Sequence, residues 1–158
     1  MNATPAINSS NWVPLLEHST HEVFEIMLKS KLEPGQPEPL IGVAFTAMVG
    51  MAGCFCGILS VRCCDQVPML IASAMLGLSP HEAGEHAWDA LGEVANMIAG
   101  NFKNKIDGMA DHCMLSVPTV ITGTDYCLKS LAGAPPLELW FCFQGKPLQV
   151  MLQIQDRV

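Results

Sequence analysis

The period of the apolar positions changes along the chain, and each change marks an element. From Asn11 to about Leu32, Leu16, Val23 and Met27 recur at helical spacing with Thr20 between them. Pro14 is compatible with a first helical turn. The segment Glu33-Pro34-Gly35-Gln36-Pro37-Glu38-Pro39 cannot continue a helix and reads as a linker. Leu40 to Val61 carries no charge and predicts two buried strands joined at Gly50-Met51-Ala52-Gly53. Asp65 suits the N-cap of a helix that Gly77 would close. Ser79-Pro80-His81-Glu82 is a capping box with proline at the first helical position. It opens the longest predicted helix, which ends near Gly108. Three or four strands should follow. One is Leu137–Phe143, with a turn at Gln144-Gly145-Lys146-Pro147. In the last, Leu148, Val150, Leu152 and Ile154 alternate with Gln149, Met151, Gln153 and Gln155, giving one polar-leaning face. This order predicts an α+β fold in which an antiparallel-rich sheet packs with helices. Residues 1–10 read as a loose tail, and 11–158 as a single domain.

Composition narrows the function. A chain of 158 residues, half of them hydrophobic and 15% charged, can bury a sizeable core. Fifteen acids against 8 bases give a net charge of −7. With no basic run, sequence-independent binding to nucleic acid or to an anionic membrane is not expected. The uncharged run is long enough to span a bilayer, and Gly53 and Gly57 have GxxxG spacing. Four glycines and two hydroxyl residues interrupt it, however, and Arg62 is the one basic residue near either end. Strands are the better reading.

The start, MNATPAINSSNW, lacks the pattern of a secretory segment, so reduced cytoplasmic thiols are expected for the seven cysteines. Cys54-x-Cys56 and Cys63-Cys64 lack the C-x-x-C spacing of a zinc or redox site and read as small buried hydrophobes. His81 and His86 are five apart, roughly 140° off a shared helical face. His18 and His21 read as surface residues. No metal site is expected in this chain.

The long helix carries the candidate chemistry. On a wheel, Trp88, Leu91, Ala95, Ile98, Phe102 and Ile106 form an apolar stripe for the core. The opposite face holds Glu82, His86, Asp89, Glu93, Asn96, Met97, Gly100 and Asn104. Glu93 and Asn96 are three apart and therefore neighbours. Gly92 and Gly100 flank them, each costing about 1 kcal/mol against alanine. Close approach of another molecule's backbone is one reason for such glycines.

The run from Asp89 to Lys103, DALGEVANMIAGNFK, resembles the signature helix of the CheX-type members of the CheC/CheX/FliY chemotaxis phosphatase family. That signature is a glutamate and an asparagine at E-x-x-N spacing, followed by a methionine and a glycine. Ser116-Val117-Pro118-Thr119-Val120-Ile121-Thr122-Gly123 is similar to the proline-containing segment that follows it. One such motif occurs here; the N-terminal helix has no E-x-x-N, which favours the CheX branch over the CheC branch.

The resemblance implies a phosphatase acting on the aspartyl phosphate of a CheY-like receiver domain. It implies that Asn96 positions the attacking water and that Glu93 pairs with the receiver's lysine. The partner would supply Mg²⁺, and this chain no cofactor. Asp89, Met97 and Gly100 share the face and are candidate docking contacts by wheel geometry. The rival reading is a non-catalytic module that binds a receiver or a flagellar-switch component. Some members of the family dimerise through their sheets, and the edges of the final strands would permit a homodimer.

Overall fold

The computed structural model describes residues 11–106, 108–131 and 133–155; the predicted tail lies outside them. The chain runs α1 (Trp12–Met27), β1 (Glu33–Pro34), β2 (Ala44–Gly53), β3 (Cys56–Cys64), α2 (Val67–Leu76) and α3 (Pro80–Ala83). A 3-10 turn (Gly84–His86) and α4 (Ala87–Asn104) follow, then β4 (Cys113–Leu115), β5 (Thr119–Gly123), β6 (Leu137–Phe143) and β7 (Lys146–Gln155). One antiparallel sheet has the order β1-β6-β7-β3-β2, and β4 and β5 both pair with the outer side of β2. The predicted α+β architecture, an antiparallel sheet packed with helices, is the one observed.

Alternation decides the two faces. Ala47, Val49 and Met51 of β2, Leu59, Val61 and Cys63 of β3, and Leu148, Val150 and Leu152 of β7 are buried on one face. Against them pack Leu16, Val23 and Phe24 of α1, Ile71 and Ala72 of α2, and Leu91, Val94, Ala95, Ile98 and Phe102 of α4. The uncharged run is thus a β-hairpin, and among the described residues no helix is long and apolar enough to cross a membrane.

Several local expectations shift. The first helix stops at Met27, short of Leu32. The Phe24 carbonyl accepts the N–H of both Leu28 and Ser30, and Lys29 takes a left-handed backbone that ends the helix. Phe24, rather than the exposed Met27, completes its buried face. The linker contains β1, which pairs with Phe141 and Cys142. The hairpin turn lies at Cys54–Phe55, not at Gly50–Gly53. Those four residues stay extended because the edge segment pairs with them, with Gly50 exchanging hydrogen bonds with Ser116. Asp65 precedes the cap: Gln66 is the N-cap of α2, and the Asp65 N–H donates to the Val43 carbonyl. Gly77 closes α2 in the left-handed conformation as expected.

The Ser79 capping box forms as predicted, with the Ser79 and Glu82 backbone N–H groups each satisfied by the other's side chain. The helix it opens is nevertheless interrupted by the 3-10 turn and ends at Asn104, not near Gly108. Of the two final strands, β7 is interior and β1 covers part of β6, so less edge is open than the sequence suggests.

Cysteine burial is mixed. Cys63 and Cys113 are buried, Cys54, Cys64 and Cys142 are half-buried, and Cys56 and Cys127 are exposed. Of the four cysteines read as small buried hydrophobes, Cys63 is buried, Cys54 and Cys64 are half-buried, and Cys56, at the start of β3 beside the hairpin turn, is exposed, which corrects the reading there. Burial pushes the Cys63 thiol well above its ordinary range.

Candidate functional site

Glu93 and Asn96 project from the middle of α4, one turn apart. Glu93 is exposed and Asn96 half-buried. Three residues advance about 4.5 Å along a helix axis, so both can reach one small target. Neither side chain hydrogen-bonds or forms an ion pair with the rest of the described protein. Their polar atoms are therefore available to another molecule. The backbone beneath them is well held, since α4 packs against α1, α2 and β2.

The C-terminal end of α4 is tied down as well. Lys103 Nζ donates to the carbonyls of Ala110, at 3.1 Å, and Cys113, at 2.8 Å. Lys105 bridges Asn101 and Glu22 of α1. That lysine holds the Glu22 carboxyl below its ordinary range. His86, just before α4, lies 3.5 Å from Glu85, and His18 lies 3.2 Å from Glu22.

The other side of the site is built by the segment the sequence paired with the signature helix. Between the pairs Leu115–Met51 and Thr119–Met48, residues 116–118 oppose residues 49–50, three against two. This is a β-bulge, and it shifts the alternation of the edge by one residue. Leu115 and Val120 therefore both face α4, although they are five apart. Pro118 sits at the bulge. A Cβ at Gly92 would lie 3.4 Å from the Pro118 Cβ and 3.6 Å from a Val120 methyl. Gly92 is thus buried against its own chain, which corrects the expectation that it admits another molecule. Gly100 is half-buried, and a Cβ there would lie 3.8 Å from Leu115.

The other wheel assignments hold unevenly. Asp89 is exposed and Asn104 too, but Met97 packs against the core and offers only part of its surface. Trp88, expected in the buried stripe, is 47% exposed, its indole meeting Phe45 edge-on at 5.9 Å. Sequence reasoning also missed a shallow depression of about 270 Å³ beside Glu93. Met75 and Leu76 of α2 join His86, Asp89, Ala90 and Glu93 around it. The one sequence signal for it was the apolar C-terminal end of α2, where Leu76 is 50% exposed.

A helix with paired polar residues, buttressed by a bulged edge, is the feature to compare with known proteins. The family described as chemotaxis phosphatase CheX matches residues 45–142, more than half of the chain. The chain belongs to the CheX family. A curated relative from Thermotoga maritima, named CheY-P phosphatase CheX, is 26% identical over 117 residues, covering 71% of this chain and 76% of that protein. A solved CheX from Desulfovibrio desulfuricans is 25% identical with a TM-score of 0.76, covering 92% of this chain and 99% of that one. The CheX of a Borrelia burgdorferi CheX–CheY–BeF₃–Mg²⁺ complex has the same fold, at 22% identity and a TM-score of 0.76, covering 95% and 99%. The family match spans β2 to β6 and so includes both α4 and the bulge.

Proposed function

We propose that this chain hydrolyses the aspartyl phosphate of a phosphorylated CheY-like receiver domain, with the exposed face of α4 as the working surface. The observation that carries the residue roles is the pair Glu93 and Asn96, one turn apart and without internal partners. Family membership sets the reaction class. The Thermotoga relative is named for the same reaction.

An aspartyl phosphate is an acyl phosphate, so its carboxylate leaves readily. Water attacks phosphorus, the bond from phosphorus to the carboxylate oxygen breaks, and inorganic phosphate and free aspartate result. What a catalyst must add is an in-line water and charge stabilisation. Asn96 orients that water through its amide. Glu93 pairs with the receiver's lysine and fixes the register of docking. Mg²⁺ comes with the receiver, as the composition of the Borrelia complex supports, and this chain adds no cofactor. Asp89, Met97 and Gly100 are docking contacts. Asp89 is the most accessible of the three, and Met97 contributes the edge not packed inside. The protein works as one domain over residues 11–158, in the cytoplasm, where receiver domains are found.

The test is the decay of phosphorylated receivers from the same organism, alone, with the wild type, and with Asn96→Ala. The wild type should accelerate decay, and the variant should lose about 10²-fold of the acceleration. Full activity in Asn96→Ala would refute the water-positioning role. Binding without acceleration on any receiver would favour the adaptor reading instead.

A further inference from the structure

The sheet has a second face, away from α4, which the proposed phosphatase site does not use. One row across it holds Thr46, Arg62, Gln149 and Trp140, and the next includes Ser60, Met151 and Glu138. The connection from β5 to β6 folds back over these rows. The Tyr126 hydroxyl lies 2.6 Å from Thr46 Oγ1, and the Arg62 guanidinium lies 5.4 Å from the centre of the Tyr126 ring. Leu128 and Pro136 wall a cavity of about 210 Å³ lined also by Thr46, Ser60, Arg62 and Gln149.

The lining is polar yet withdrawn from solvent: Thr46 is 0% exposed, Ser60 4% and Gln149 8%. Arg62 brings a permanent positive charge into it. Among the described residues no carboxylate forms an ion pair with Arg62, in a chain with 15 acids. Its Nε is buried with no hydrogen-bond partner, and on the same row so is Trp140 Nε1. The Tyr126 ring offsets part of the charge through its π face but accepts none of the guanidinium donors in the way an oxygen does. Arg62 is half-buried, and a partly desolvated charge whose buried donor lacks both counter-charge and acceptor is costly. Ser60 and Gln149 likewise make no side-chain hydrogen bond within the described protein. Glu138, the one carboxylate lining the cavity, stands exposed at the rim.

We propose that this cavity binds a small oxyanion, a carboxylate or phosphate group, which Arg62 grips through its N–H fork with Ser60 and Gln149 in support. Arginine is suited to such planar, two-point recognition. Glu138 opposes a second negative charge at the mouth and so weakens, without preventing, anion entry.

The test uses the whole ¹⁵N-labelled chain at pH 7. The sequence has two arginines, Arg62 and Arg157, so the arginine Nε–H region of a proton–nitrogen spectrum holds two signals. Arg62→Lys identifies the first. Sodium phosphate and sodium acetate are titrated separately, with chloride holding ionic strength constant. The expected result is a saturable shift of the Arg62 signal and of the Ser60 and Gln149 amides, with Arg157 unmoved. Arg62→Lys should weaken binding about tenfold, as read from those amides. Glu138→Gln should tighten it about threefold. Saturation by phosphate alone assigns a phosphate-bearing ligand, and by acetate alone a carboxylate. Failure of both anions to give a saturable shift overturns the proposal. So does an equal response of Arg157, or wild-type affinity in Arg62→Lys.

Discussion

Gly92 tests whether the edge bulge sets the position of α4. Glycine inside a helix is about 1 kcal/mol worse than alanine. A Cβ at this position would meet Pro118 at 3.4 Å and Val120 at 3.6 Å, ordinary contact distances. Gly92→Ala should therefore keep most of the helical gain, about 0.5–1 kcal/mol, and raise Tm by about 2 °C. Gly92→Val adds methyl groups where no such space remains, and overpacking of this kind costs about 1–3 kcal/mol. It should lower Tm and, by displacing the turn that carries Glu93 and Asn96, cut phosphatase activity more than its stability loss explains. Thermal unfolding and receiver dephosphorylation, measured on both variants, decide the matter. If alanine and valine raise Tm alike, Pro118 does not limit the approach of α4. If Gly92→Ala keeps its stability but loses receiver binding, then a partner needs that glycine after all, and the internal-packing argument fails.

Three further outcomes are expected. Glu93→Ala should leave the unfolding free energy within about 0.5 kcal/mol of wild type, since the side chain is exposed and unpaired, while raising KM for the phosphorylated receiver; unchanged KM and kcat would dismiss the lysine-pairing role. The Lys105 hydrogen bond depresses the Glu22 carboxyl, so its contribution is complete above the ordinary carboxylate range and is lost as pH falls through the lowered folded value. Stability measured from pH 6 downward should then decline less steeply in Glu22→Gln, and the difference should shrink in high salt. Ser79→Ala should cost about 1 kcal/mol by chemical denaturation, and an NMR titration should find the Glu82 carboxyl, which Ser79 holds low, moved upward.

What was legible in the sequence was what local chemistry decides. The Ser79–Glu82 box, the Gly77 stop and the alternation of Leu148, Val150 and Leu152 each depend on residues a few positions apart, and each appears where expected. The misplaced turn has a different origin. Gly50–Gly53 looks like a hairpin tip until Cys113–Leu115 and Ser116, more than sixty residues later, pair with it and keep it extended. Trp88 follows the same logic, because a wheel marks the apolar side of a helix but not how far the sheet beneath it reaches. Glu93 and Asn96 were found through a resemblance; their periodicity matches any solvated helix face.

The polar face of β7 shows how far periodicity can carry an argument. Alternation correctly separates Gln149 from Leu148 and Val150, and a strand with one polar face would ordinarily turn that face to water. Gln149 is instead almost fully buried, because Tyr126 and its connection, bonded to Thr46, lie across the same row. Nothing within reach of Gln149 along the chain announces this. The same fold-back encloses Arg62, which by sequence alone is merely the charge that ends an apolar run. Period-two patterning determines which side chains share a face, whereas cover depends on a distant loop. A covered pair of rows holding Arg62 and Gln149 in one and Ser60 in the next is thus the kind of feature that only the folded chain exposes. On the opposite face, the extra residue at 116–118 does comparable work by bringing Pro118 against Gly92 and setting how closely α4 can approach the edge.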